Sequence, residues 1–198
     1  VFWELFREII KGYHGHVVSH QRNPDPEGKY IISTRIRVGR NLHGFPFAPG
    51  ISREQRLDVE KKIVEALQTL SGDLEGKYYS LSSLSDEDRQ RLIDDHFLFK
   101  QGDRFLEAAG CNRDWPEGRG IYHTEDKRFL VWVNEEDQLR IISMEKGGDI
   151  FSVFNRLTRA VDTLQQSLRF AYAEELGYLS SCPTNLGTAM RASVHIKI

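Results

Sequence analysis

Ser33, Arg35 and Arg37 occupy alternate positions of the stretch Tyr30 to Val38, and Arg191, Ser193, His195 and Lys197 occupy alternate positions of Met190 to Ile198. Side chains on an extended strand alternate between faces, with same-face neighbours roughly 7 Å apart. Each stretch therefore carries one polar, cationic face. Its other face is largely apolar: Ile32, Thr34, Ile36 and Val38 in the first, Ala192, Val194, Ile196 and Ile198 in the last. Arg140, set between Gln138 and Ile142, offers a further guanidinium from a third strand. Guanidiniums massed on one face repel each other unless an anion sits among them. Each presents a rigid fork of donors that matches phosphate oxygens. The chemistry that suits this pattern is the gripping of a polyphosphate such as a nucleotide triphosphate. A solvated outer face with surface arginines fits the same spacing, and the two readings part on whether the strands are neighbours. The glycine-rich phosphate cradles G-x-x-x-x-G-K-[ST] and G-x-G-x-x-G are absent from the sequence. Arginines would have to replace backbone amides.

The elements that must position these side chains are readable in outline. Ser52, with Gln55 three residues on, has the form of a capping box ahead of a helical pattern of Leu57, Ile63, Val64, Leu67 and Leu70. Ser85 and Asp88 open a shorter helix toward His96, and residues 103–109 suggest a third. Phe129 to Val133 and Gln138 to Met144 are apolar runs around the acidic turn Asn134-Glu135-Glu136-Asp137, as in a hairpin. Ile150, Val153, Phe154, Leu157, Val161, Leu164 and Leu168 recur at spacings of three and four and predict the strongest helix. A loop from Cys182 to Gly187 leads to the last strand. Strands and helices mix without regular βαβ alternation, which predicts an α+β fold with a largely antiparallel sheet flanked by helices. Residues 1–28 read as an amphipathic helix followed by an irregular connector, and residues 29–198 as the main domain.

Composition narrows the function classes. Charged residues make up 28% and apolar residues 39% of the 198, with a formal charge of -2. That is ordinary globular composition, without the basic excess that nucleic acid or an anionic membrane would demand. Glu4, Arg7 and Glu8 interrupt the only apolar start that resembles a targeting segment. Two cysteines, Cys111 and Cys182, make no disulfide framework and favour a reducing, cytoplasmic setting. Read alone, Cys111 is a small buried hydrophobe, Trp115 and Trp132 are core, and the acids of the turn are solvated. His14, His16, His20, His43 and His123 form no metal-ligand pair.

Longer motifs add a family. Ser33-Thr34-Arg35-Ile36-Arg37 with Gly39-Arg40, Leu92 to Lys100, Val131 to Arg140, and Cys182-Pro183-Thr184-Asn185-Leu186-Gly187-Thr188 leading into Arg191 to Lys197 together resemble the phosphagen (guanidino) kinase family. The resemblance runs in order from about Tyr13 to the end. Gly102-Asp103-Arg104-Phe105-Leu106 and Arg191-Ala192-Ser193-Val194-His195 look more like arginine kinases, whereas Val64-Glu65-Ala66-Leu67 looks closer to creatine kinases.

The resemblance implies a guanido kinase/glutamine synthetase-like catalytic domain, truncated at its C-terminal end and lacking the small helical domain that precedes it in the family. It implies reversible transfer of the γ-phosphoryl of Mg-ATP to a guanidine nitrogen, most naturally that of L-arginine. Taurocyamine or another guanidino compound, a protein arginine, or a non-catalytic nucleotide-binding role are the alternatives. ATP/ADP and Mg2+ are the implied cofactors, with a small guanidino substrate as partner and either a monomer or a homodimer as the assembly. Among site residues, it implies Ser33, Thr34, Arg35, Ile36, Arg37, Arg140 and Arg191 on the phosphate side. His96, Ala192, Ser193, Val194 and His195 fall on the adenosine side. Glu136 and Cys182 contact the guanidine, and Glu135 lies near magnesium through water. Glu136, Cys182, Arg140 and Arg191 would be catalytic. Gln138 departs from the histidine that the family carries there. The expectation for this 198-residue piece by itself is little or no turnover.

Overall fold

The structure is a computed structural model and describes residues 23–101 and 104–197. The expected N-terminal helix, most of the connector, Gly102, Asp103 and Ile198 lie outside the described residues.

A six-stranded sheet in the order β2-β3-β4-β5-β1-β8 forms the frame, with every neighbouring pair antiparallel. Its strands are β1 (Ile31–Arg40), β2 (Gly76–Ser80), β3 (Gly120–Thr124), β4 (Phe129–Val133), β5 (Leu139–Lys146) and β8 (Met190–Ile196). β6 (Tyr172–Ala173) and β7 (Gly177–Tyr178) make a separate short ribbon. The helices are α1 (Arg53–Leu67), α2 (Asp86–Asp94), α3 (Arg104–Ala108) and α4 (Ile150–Leu164).

The helices begin where side chains can satisfy their first free N–H groups. Ser52 caps α1 with both arms of the box in place: its hydroxyl accepts from the Gln55 amide, and the Gln55 side chain accepts from the Ser52 amide. Such a cap stabilises by about 1 kcal/mol. Ser85 caps α2 through the Asp88 amide, and Asp149 caps α4 through the Ser152 amide. α4 then buries Val153, Arg156, Leu157, Ala160 and Leu164, a helical stripe that packs on β1 and β5.

The two faces of the sheet differ. One is fully covered: Ile36, Val38, Val131, Val133, Leu139 and Ile141 pack under Val59, Ile63 and Leu67 of α1 and the stripe of α4. The other is covered only toward β2, β3 and β4, where Leu81, Leu98 and Phe99 close over Ile121, Leu130, Trp132 and Ile142. Toward β5, β1 and β8 that second face carries the arginines.

Candidate active site

Antiparallel register brings the basic residues together. On β1 and β8, Arg37 lies directly opposite Arg191, Arg35 opposite Ser193, and Ser33 opposite His195. On the other side of β1, Gly39 pairs with Arg140 of β5. Gly39 follows Arg37 on the same face, so Arg35, Arg37, Arg140 and Arg191 all rise from one face of three adjacent strands. Having no side chain, Gly39 leaves room there for the Asp137 carboxylate, whose Oδ2 a Cβ would meet at 2.7 Å. A cleft lies there, walled by Arg37, Arg140 and Arg191, by Asp137, and by the loop that carries Thr184 and Asn185.

The floor is aromatic. The guanidinium carbons of Arg35 and Arg140 each lie 5.6 Å from the Trp132 ring centroid, a cation–π arrangement that fixes both planes. The indole N–H of Trp132 donates to the Phe97 carbonyl at 2.7 Å. That bond anchors the segment just after α2, where exposed His96 sits with a left-handed φ of 62°.

This arrangement is electrostatically strained without an anion. Burial lowers the pKa of Arg35, and the charges of Arg37 and Arg140 lower it further. Arg37 is lowered by burial, Arg140 and Arg191, with only partial relief from Glu135 and Glu136. Two nitrogens of Arg35, Nε and Nη2, are buried without a hydrogen-bond partner. Buried donors normally find acceptors, and phosphate oxygens arriving in the cleft would be such acceptors.

Beside the arginines stands the acidic turn. Asn134 takes a left-handed φ of 56° and donates from its side chain to the carbonyls of Arg56, at 3.2 Å, and Gly118, at 2.7 Å. The turn closes by the Asn134 amide donating to the Gln138 carbonyl at 2.9 Å. Arg140 then receives two carboxylates: Glu135 at 3.0 Å and Glu136 at 2.6 Å. Glu135 also accepts from the Glu136 amide at 2.8 Å. Burial nonetheless holds its pKa above the ordinary carboxylate value, against the pull of Arg140.

Cys182 precedes a short 3-10 turn, Pro183–Asn185, and its Sγ lies 3.0 Å from the Thr184 hydroxyl. It is half-buried, whereas Cys111 is buried. The segment before Cys182 is tied to the acidic turn, since the Ser181 amide donates to Asp137 Oδ1 at 2.8 Å.

The family model for the ATP:guanido phosphotransferase C-terminal catalytic domain matches residues 58–198. The chain belongs to the ATP:guanido phosphotransferase family. An arginine kinase of Anthopleura japonica is 58% identical over all of this chain and 30% of its own length. One from Penaeus monodon is 51% identical over all of this chain and 59% of its own. Among solved structures of the family, the substrate-free duplicated taurocyamine kinase from Schistosoma mansoni superposes with a TM-score of 0.87 at 44% identity, covering all of this chain and 30% of that one. A lombricine kinase superposes with a TM-score of 0.81 at 40% identity, covering 99% of this chain and 59% of that one. The chain thus spans well under two thirds of the length of these relatives.

Within this guanido phosphotransferase frame, Ser33, Arg35, Arg37, Arg140, Arg191, Ser193 and His195 share the open face, and Glu135 and Glu136 adjoin it. Thr34 and Ile36 turn the other way. Thr34 is fully buried, with its hydroxyl donating to the Gly147 carbonyl at 2.8 Å, and Ile36 is core. Ala192 and Val194 pair with Ile36 and Thr34 and share that opposite face. Only the backbones of these residues border the arginine face. Trp132 is core, as expected, yet it is also the platform under two guanidiniums. Asp137, expected to be solvated with the other acids of the turn, is almost wholly buried, as is Asn41, which the sequence did not single out.

Proposed function

We propose that this chain supplies the nucleotide grip and part of the acceptor pocket of a phosphotransferase that moves the γ-phosphoryl of Mg-ATP reversibly to a guanidine nitrogen of L-arginine. The observation that carries it is the meeting of four guanidiniums on one sheet face with Glu136, a carboxylate that already holds a guanidinium, that of Arg140, at 2.6 Å. Identity to arginine kinases above 50%, against 44% to the taurocyamine enzyme, favours arginine over taurocyamine.

In the forward direction a guanidine nitrogen forms a bond to the γ-phosphorus, the bond to the bridging oxygen breaks, ADP leaves, and the guanidinium gives up a proton. Transfer of this kind asks for alignment and charge neutralisation more than for covalent help. Arg35, Arg37, Arg140 and Arg191 neutralise the phosphates. Once phosphates draw Arg140 toward them, Glu136 is free to hold the acceptor in plane and take its proton. Cys182, as a thiolate, offers the acceptor a second negative contact. Ser33, His96, Ser193 and His195 flank the nucleotide.

Among the described residues no three His, Cys, Asp or Glu side chains converge as a metal cage. Magnesium carried by phosphates needs only one or two protein carboxylates, and Glu135 suits that place through water. When bound, it adds positive charge where the phosphates develop negative charge. β1 precedes the matched stretch but pairs with β5 and β8, which supports a catalytic domain reaching back to residue 29. No helix among the described residues is long and apolar enough to cross a membrane, and a cytoplasmic setting suits a free thiol at the site.

The test is phosphorus NMR of the full-length protein with Mg-ATP and a panel of guanidines. Phosphoarginine should form first and fastest. Formation of another phosphoguanidine alone, or a phosphorylated protein arginine with free arginine untouched, would overturn the assignment.

A further inference from the structure

Asp137 lies in the acidic turn but behaves unlike its neighbours. It is 1% exposed. Its Oδ1 accepts from Asn41 Nδ2 at 2.8 Å and from the Ser181 amide at 2.8 Å. Asn41 Nδ2 also donates to the Leu179 carbonyl at 3.1 Å, and Asn41 Oδ1 accepts from the Gln138 amide at 2.9 Å. One buried carboxylate and one buried amide therefore join three segments: the turn bearing Glu136, the stretch just after β1, and the run 179–181 that leads into Cys182. Glu136 and Cys182 are each one residue from this clamp.

The other oxygen, Oδ2, is buried with no hydrogen-bond partner. It fits because position 39 is glycine: a Cβ there would lie 2.7 Å from Oδ2, closer than real contacts allow. A buried carboxylate oxygen left unpaired is costly, so burial of Asp137 does not by itself favour the fold. What its two hydrogen bonds through Oδ1 secure is the relative position of the segments they join.

We propose that Asp137 is a positioning residue that sets the spacing between Glu136 and Cys182, and so shapes chiefly the acceptor side of the pocket. This deepens the phosphotransferase reading and rests on it. Arg35, Arg37 and Arg191 are placed by strand register, and the turn reaches them only through Arg140, so loss of Asp137 should affect the acceptor more than the nucleotide.

The experiment uses the full-length protein with Asp137→Ala, which deletes the acceptor, Asp137→Asn, which keeps one acceptor oxygen, and Asn41→Ala, which removes the amide that ties Asp137 to the stretch after β1. In Asp137→Ala and Asn41→Ala, KM for arginine should rise roughly 10-fold or more while KM for ATP rises far less, since small misplacements of reacting groups cost such factors. Alkylation of Cys182 by iodoacetamide should change by roughly 5-fold or more with Cys111 still protected, because thiol reactivity follows local surroundings. Asp137→Asn should recover most of both. Both KM values changing together, or Cys111 becoming reactive alongside Cys182, would mean general loosening and overturn the proposal, as would a folded Asp137→Ala that leaves both readouts unchanged. If Asp137→Ala does not fold, Asn41→Ala judged against Asp137→Asn decides by the same readouts. A wild-type protein that fails to phosphorylate arginine would sink the functional reading, whereas the alkylation arm would still judge the clamp.

Discussion

Glu136 and Glu135 stand side by side on Arg140, yet their proposed tasks differ and so do their expected variants. Glu136→Gln keeps the shape but gives up the proton-accepting carboxylate, so kcat should fall by about 10²–10⁴-fold with nucleotide affinity little changed, measured by steady-state kinetics. Glu135 has a raised pKa because burial disfavours its charge. A carboxyl whose folded pKa exceeds its unfolded value adds stability below the unfolded pKa, and that stability is lost as pH rises through the folded one. Glu135→Gln should therefore melt higher than the unliganded wild type at pH 7. The gain should vanish below about pH 4, where Glu135 is protonated in both states, and paired melting curves across pH would show it. At this scale the sequence was legible where residue type and period agree: Ser33, Arg35 and Arg37 announced a shared face. Asp137 was not legible, because a turn acid held by Asn41 and an amide 44 positions away looks locally like any solvated one.

Elements formed where caps and periods pointed in one direction. The Ser52 box, the Ser85 cap, the hairpin of β4 and β5 and the stripe of α4 were all readable, and α4 ends at Leu164, with Leu168 buried just beyond it. β2 and β3 were not read. Each is five residues long and begins with glycine, which locally argues for a turn. Both glycines are there because strands meet closely: a Cβ on Gly76 would strike the His123 carbonyl, and one on Gly120 the Tyr78 ring. That requirement is tertiary and leaves no local pattern. The reverse of the arginine face depends on α4 as its backing layer. Leu157, 1% exposed at the centre of its stripe, should cost about 2–5 kcal/mol on truncation to alanine. Chemical denaturation would measure this, and a loss under 1 kcal/mol would mean that α4 does not brace β1 and β5 as described.

For the molecule as a whole, the proposed function rests on one sheet face serving as an anion receptor. Its four guanidiniums and two adjoining carboxylates leave an excess of positive charge that lowers the pKa of Arg35 and Arg37. A ligand that binds only the folded state raises stability by mass action, about 2.7 kcal/mol at a hundredfold excess over Kd. The most direct measurement is calorimetric titration of Mg-ADP into the wild type and into Arg35→Ala, Arg37→Ala and Arg191→Ala, with Arg159→Ala as a control. Arg159 pairs with Asp73 through α4 on the opposite side. Each of the three cleft variants should weaken binding roughly 10-fold or more, as loss of a charge-assisted bond would, and Arg159→Ala should bind as the wild type does. Nucleotide binding unchanged by all three of these arginine substitutions would contradict that role for the sheet face.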